Sequence, residues 1–244
     1  MSIEKTHFRT LFVSDIHLGT KLSKPEKLIE VLDNNTFDTI YLVGDIIDMI
    51  AMKRKVYWKK KHNKLIKKIL KLSNKTDIRY IIGNHDYFME MLVDTSFGKI
   101  KILERDIHYL LDGTPCLIIH GHQFDGKLKS MTWLYGLGSF LYDISIGLNI
   151  VNEQVRKLLK LKEWSLSYYL KSKVKNKIGT LMEFEKLMIS TAKEHNCDVV
   201  IAGHIHIVED KMYDNIRYMN CGCVTEFTSY IVETVEGKLE TIIL

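Results

Sequence analysis

Five short stretches of the chain end in side chains that bind divalent cations. They are Asp15 with His17, Asp45 with Asp48, Asn84 with His85 and Asp86, His120 with His122, and His204 with His206. Carboxylate and amide oxygens suit Mg or Mn, imidazoles add affinity for Mn, Fe or Zn, and a carboxylate between two ions can bridge them at about 3.5 to 4 Å. The mixture points to a two-metal hydrolytic site, with Mn the leading cation and Mg, Fe, Co or Zn the alternatives. Two such ions would each take a phosphoryl oxygen, acidify a shared water and neutralise charge that grows in the transition state. Singly, each residue also has a plain structural explanation. Asp15 would be a helix cap, Asp48 a solvated turn residue, Asn84 a turn former, and any one His a satisfied core imidazole. Their joint placement argues against coincidence, whereas His7, His62, His108 and His195 fall outside the pattern.

The elements that must position these groups are short apolar runs rich in Ile and Val. Thr10–Val13 precedes SDIHLG, Thr39–Val43 precedes GDIID, Ile78–Ile82 precedes GNHD, Cys116–Ile119 precedes HGH, and Val199–Ala202 precedes GHIH. Such runs predict strands buried on both faces between helices, with the polar groups at strand ends where α/β sheets bind ligands. Helices are expected at Lys24–Leu32, Arg54–Leu72 and Leu181–Glu194, the second with Val56, Trp58, Leu65, Ile69 and Leu70 on its apolar positions. Ile216–Met219, Tyr230–Thr234 and Leu239–Ile243 read as antiparallel strands that close a sheet. Residues 126–179 differ in kind, being leucine-rich and aromatic with helical spacing. The expected organisation is one domain over residues 1–244 with a helical cap inserted at 126–179.

The chain has 244 residues, 46% hydrophobic and 27% charged, which excludes a disordered tail or a small disulfide-stapled module. Cys116, Cys197, Cys221 and Cys223 lack metal-binding or disulfide-framework spacing, so a reducing compartment fits. No apolar run of about 7 to 15 residues follows the N-terminus, which argues against a secretory leader. Ser130–Asn152 is apolar but holds Asp143, Asn149 and three glycines, as a buried or interfacial helix would. The expected location is cytoplasmic, with peripheral contact at the inner face of a membrane as an option. The net charge of +5 divides unevenly, with +11 in Lys53–Lys75 and +6 in Glu153–Lys177, leaving −12 elsewhere. An acidic body with two basic patches is implied, although the lysines of the first patch also suit the wet face of a helix.

The series DIH, GDIID, GNHD, HGH and GHIH resembles the calcineurin-like metallophosphoesterase superfamily over Thr10 to about Tyr230. The resemblance implies a β-sandwich of two mixed sheets flanked by helices. It assigns Asp15, His17, Asp45 and His206 to one cation and Asp45, Asn84, His120 and His204 to the other, with Asp45 as the bridge. It makes His85 the catalytic histidine, contacting phosphoryl oxygens and assisting the leaving group, with Asp86 orienting it. The segments YWKKKHN, HGHQFDG and LKEWSLSYYLKSKVK look like the branch of UDP-2,3-diacylglucosamine hydrolases, which release UMP and an acylated sugar phosphate during lipid A synthesis. Two departures stand out: Asn220 to Glu226 reads NCGCVTE where the branch usually has an acid and a tryptophan, and His122 stands where Asp is common. Cys223 is then either an added soft ligand or a buried small apolar group.

The working expectation is a metal-dependent phosphoric ester or anhydride hydrolase that splits the pyrophosphate of a UDP-linked diacylglucosamine-like lipid. Asn84, His122, Lys162, Trp164, Lys171 and Lys173 are the candidate substrate contacts, the last four from the insertion, where lysines meet phosphates and apolar helices could receive acyl chains. A broader nucleotide or nucleic-acid phosphodiesterase or phosphatase is the enzymatic alternative, favoured by the first basic stretch. A non-catalytic metal-binding scaffold is the alternative of another kind. Oligomeric state is not readable from the sequence.

Overall fold

The computed structural model describes residues 5–126 and 179–244, and the elements below are those among them. The chain divides into two compact units, Met1–His122 with Met188–Leu244, and Gln123–Leu187. The proposed cap, with Lys162, Trp164, Lys171 and Lys173, lies outside the described residues, as does Ser130–Asn152. Among the described residues no helix is long and apolar enough to cross a membrane.

Twelve strands form two mixed sheets flanked by helices. β1 (Thr6–Val13), β2 (Asn35–Val43), β3 (Asp77–Ile81) and β5 (Ile100–Leu103) run parallel. They are extended by β4 (Ser96–Phe97) on one side and by β11 (Ser229–Glu233) and β12 (Leu239–Ile243) on the other, giving the order β12-β11-β1-β2-β3-β5-β4. The second sheet has the order β6-β7-β8-β10-β9. Its centre is β7 (Pro115–Ile119), β8 (Val199–Ala202) and β10 (Ile216–Cys221), all parallel, and its edges are the antiparallel β6 (Arg105–Tyr109) and β9 (Val208–Tyr213). The reading of Ile216–Met219 as an antiparallel strand holds on one side, where β10 pairs with β9, and is corrected on the other, where β10 runs parallel to β8.

Alternating side chains build two cores, because successive residues of a strand face opposite ways. Leu11, Val13, Ile40, Leu42 and Ile78 pack under α1 (Pro25–Asn34) and α3 (Lys60–Leu72), on Leu28, Leu32, Leu65 and Ile69. Phe12, Tyr41, Val43 and Ile81 face the other way and meet Cys116, Ile118, Ile201 and Met219 of the second sheet. Burial on both strand faces is therefore as expected, but one cover is a sheet rather than a helix. The parallel pairs β1–β2 and β2–β3 are joined through α1 and α3, and β7 and β8 flank α4 (Gly179–Glu194) in sequence.

The predicted helix over Arg54–Leu72 is shorter in the structure: α2 (Met49–Arg54) ends where that helix would begin, and α3 starts at Lys60 after an irregular connection. Val56 sits in that connection at 68% exposure and Leu70 is 37% exposed, so neither occupies the apolar positions expected of them. The turn of α3 that would have used Val56 is replaced by a start at Lys59, where the Lys59 amide approaches His62 Nδ1. The four cysteines are buried and unbridged.

Candidate metal centre

The predicted ligands lie just past the carboxyl ends of the parallel strands, in loops that leave the ordinary backbone regions. Asp15, His17, Asp45, His204 and His206 all have positive φ, between 48° and 70°. Left-handed conformations are uncommon for residues with a side chain and concentrate where a structure holds a functional geometry. Backbone bonds lock the loops, Asp15 N to Gly44 O at 3.1 Å and His17 N to Asp45 O at 2.9 Å. The glycines that open GD, GN and GH make the space. A Cβ on Gly44 would stand 2.3 Å from the His120 ring, on Gly83 2.2 Å from Asp45 Oδ1, and on Gly203 2.7 Å from Asp15 Oδ2.

Three groups of ligand atoms result, each within 4.8 Å: Asp15, His17 and His206; Asp45, His120 and His204; and His17, Asp48 and His85. His206 Nε2 lies 2.9 Å from Asp15 Oδ1 and 3.2 Å from His17 Nε2. Asp45 Oδ2 lies 3.4 Å from His120 Nε2, 3.7 Å from His17 Nε2 and 4.0 Å from His85 Nε2, so one carboxylate oxygen faces histidines of both outer groups. The second oxygen of Asp45 accepts the His85 amide at 2.8 Å, and that of Asp15 accepts the His204 amide at 2.9 Å. His120 Nδ1 is held at 2.8 Å by Val43 O, which turns Nε2 toward Asp45.

The residues fit divalent cations on the structure's own terms. His120 Nε2 and Asn84 Oδ1 are buried polar atoms with no hydrogen-bond partner among the described residues. Buried polar groups are nearly always satisfied, and a cation at either atom would satisfy it. Burial opposes charge on both carboxylates, yet the surrounding histidines hold Asp15 and Asp45 well below the usual carboxylate range. Burial likewise opposes charge on His120, but Asp45 and Asp15 raise it to about 9. Negative carboxylates among imidazoles are a donor set that a cation can occupy in place of protons.

Asp48 is the residue whose part the sequence understated. It is buried rather than solvated, and its carboxylate meets three groups. Oδ2 pairs with His17 Nδ1 at 2.9 Å, while Oδ1 accepts the Ala51 amide at 2.7 Å and lies 2.9 Å from His85 Nδ1. Burial works against its charge, and His17 and His85 outweigh it, holding the carboxyl far below its ordinary value. The carboxylate beside His85 Nδ1 is that of Asp48. Asp86 instead accepts the amides of Ile46 and Ile47 at 3.1 and 2.8 Å, pinning the loop that carries Asp45. Burial, with Asp45 nearby, pushes its carboxyl up to about 6. His122 opens a short turn with its ring 5.5 Å from that of His120. Cys223 is buried; burial would raise its thiol, but His206 beside it brings it down to about 7.

The chain matches the calcineurin-like phosphoesterase family over residues 8–208 and belongs to that family. No curated protein matches the sequence. Among solved structures it is similar to Vps29 from Chaetomium thermophilum, at 10% identity over 97% of this chain and 96% of that one, with a TM-score of 0.48. It is also similar to Yfce, a phosphoesterase from E. coli, at 14% identity over 96% and 97% of the two chains, with a TM-score of 0.46. A novel archaeal phosphodiesterase is 15% identical over 96% of this chain and 99% of that one, with a TM-score of 0.46. The chain is a metallophosphoesterase-fold protein with three candidate metal-binding groups among its described residues.

Proposed function

We propose that the protein is a metal-dependent phosphoesterase of broad type, a phosphodiesterase or phosphatase acting on nucleotides or nucleic acid. Asp15, His17, Asp45 and His206 would hold one cation, and Asp45, Asn84, His120 and His204 the other, with Mn the first choice for such oxygen and imidazole donors. The observation that carries the reading is Asp45 Oδ2, which faces His17, His120 and His85 from 3.4 to 4.0 Å at the meeting point of the groups. When bound, divalent cations supply Lewis acidity to a phosphoryl group and lower the pKa of water beside it.

The chain's own residues do the rest. His85 Nδ1 faces Asp48, so Nε2 is the atom presented to the site, where it can donate a proton to the leaving oxygen. Asp48 Oδ1, 2.9 Å from Nδ1, sets which ring nitrogen faces the site, and through Oδ2 Asp48 orients His17 in the same way. The Gly44, Gly83 and Gly203 backbones let three loops close on one point without a side chain in between. His122, next to His120, would meet the substrate rather than a cation.

A narrower reading is hydrolysis of the pyrophosphate in a UDP-linked diacylglucosamine-like lipid, supported by the segments at residues 57–63, 120–126 and 161–175. A turnover screen with Mn, Mg, Fe, Co and Zn against nucleotide diesters, monoesters and that anhydride, read by product mass, separates the readings. Diester or monoester turnover that is lost in Asp45→Ala and His120→Ala, with the fold retained, is the expected result. Turnover of the anhydride alone would shift the substrate to the narrower class. Inactivity with every cation would leave a metal-binding scaffold.

A further inference from the structure

Resting on the phosphoesterase reading above, we propose that the outer face of α3 is a binding track for single-stranded nucleic acid, which it guides toward the metal centre. Four lysines, Lys60, Lys64, Lys67 and Lys71, recur at spacings of four, three and four residues along this helix. That spacing places them within one narrow arc, and at 1.5 Å per residue the row runs for about 16 Å. All four are exposed, and none has an ion pair among the described residues.

The pairing of the other lysines shows what is unusual. Lys61 and Lys68 lie on the flank of α3 that faces α1 and reach Glu26 and Asp33 there, the first at 3.3 Å. The carboxylates of α1 thus neutralise one flank and leave the row without an ion pair, with Asp33 acting on Lys64 only from beyond contact. α3 carries no acidic residue of its own. An uncompensated line of like charge is self-repelling, and a matching line of negative charge relieves it.

A linear polyanion fits this row better than a bilayer does. An interfacial helix buries a broad apolar face in the lipid. In α3 the apolar residues Leu65 and Ile69 are buried under α1 and the sheet, and on the helix only Leu70, at the margin, is exposed. The connection before α3 adds Tyr57, partly exposed, with Lys59 Nζ 5.0 Å from its ring centre. An aromatic ring beside cations is the arrangement on which successive bases of a single strand stack. Direction follows from topology. α3 starts on the side of the sheet where β2 ends, which is where Asp45 and Asp48 lie, and returns to the start of β3. Its first lysine is therefore at the site end and its last at the far end.

The test uses the full chain and a fluorescent single-stranded oligonucleotide of about 16 nucleotides, the upper end of one single-strand site. Binding is followed by anisotropy without added metal, between about 50 and 200 mM salt. The variant changes all four lysines to Gln, which keeps helix propensity. Wild type is expected to bind with a steep salt dependence, and the variant to bind at least about tenfold more weakly, with a log–log salt slope smaller by about 3. Hydrolysis of a small diester with Mn should be equal in the two proteins. Equal oligonucleotide affinity in both would overturn the track. So would a wild type that ignores the oligonucleotide but co-sediments with phosphatidylglycerol vesicles through the same lysines. Intact, lysine-dependent oligonucleotide binding without turnover of the small diester would support the track while refuting the phosphoesterase reading.

Discussion

Asp48 has the most to say at the scale of single residues, because one carboxylate serves two histidines with different duties. Replacing it by Asn keeps the shape and removes the charge that lies 2.9 Å from both His85 Nδ1 and His17 Nδ1. Asp48→Asn is expected to lower kcat, or cation affinity, by about 10- to 100-fold in a folded protein, the usual cost of losing a partner behind a ligand. Initial rates over a pH series, together with a metal titration, would check it, and an unchanged profile would reassign Asp48 to a purely capping role. Gly83 is the steric counterpart. A methyl group on its Cα would stand 2.2 Å from Asp45 Oδ1, so Gly83→Ala should displace the central carboxylate and abolish cation binding by calorimetry. The ligand types were legible in the sequence because each follows a recognisable apolar run. Asp48 was legible only in part: it stood among the candidate groups with a solvated turn residue as its plain reading, whereas it is buried and caps a helix through the Ala51 amide, and the histidines it meets arrive from elsewhere in the chain.

Between elements, the informative contact is Glu233. It is fully buried, and it gathers β1, β6 and the segment after β6: Oε2 lies 2.8 Å from Thr10 Oγ1 and 2.9 Å from His108 Nε2, while Oε1 lies 2.9 Å from the Leu111 amide. Arg9 adds a bond at 3.0 Å. Burial would raise this carboxyl, but these partners lower it to about 2 from an ordinary value of 4.5. A lowered carboxylate stabilises the fold above its unfolded value and loses that contribution as pH falls toward the folded one. Glu233→Gln should therefore be less stable than wild type at neutral pH, with the difference shrinking between about pH 4.5 and 2 in urea titrations. His108 belongs to one sheet and Thr10 and Glu233 to the other, so the group fastens the sandwich. Strands at the centre of either sheet were readable from their continuous apolar runs. The edge strands β6 and β9 were not, because RDIHY and VEDKMY carry the charges that keep an edge from pairing further.

For the molecule as a whole, cations are expected to act as part of the fold. Residues from Asp15 to His206 converge at one place, and several hold left-handed backbone conformations there. Mn at a hundredfold excess over its Kd should add about 2.7 kcal/mol, which for a chain of this length is roughly 5 to 10 °C in Tm. Chelation should reverse the gain, and a melting temperature that no divalent cation moves would count against the proposed ligand sets. The charge map adds a second whole-molecule feature, for the acidic remainder includes the carboxylates of the centre while α3 carries lysines and no acidic residue.

The pairing of β1 with β11 carries a consequence for how the chain is made. Thr10 and Glu233 are 223 residues apart, yet they sit side by side in the same sheet. At ribosomal rates of about 5 to 20 residues per second, β11 emerges on the order of tens of seconds after β1. Throughout that interval one side of β1 presents open amides and carbonyls, a template for pairing with neighbouring nascent chains. Yield during synthesis should thus depend on temperature and chaperone supply more steeply than the stability of the finished protein does.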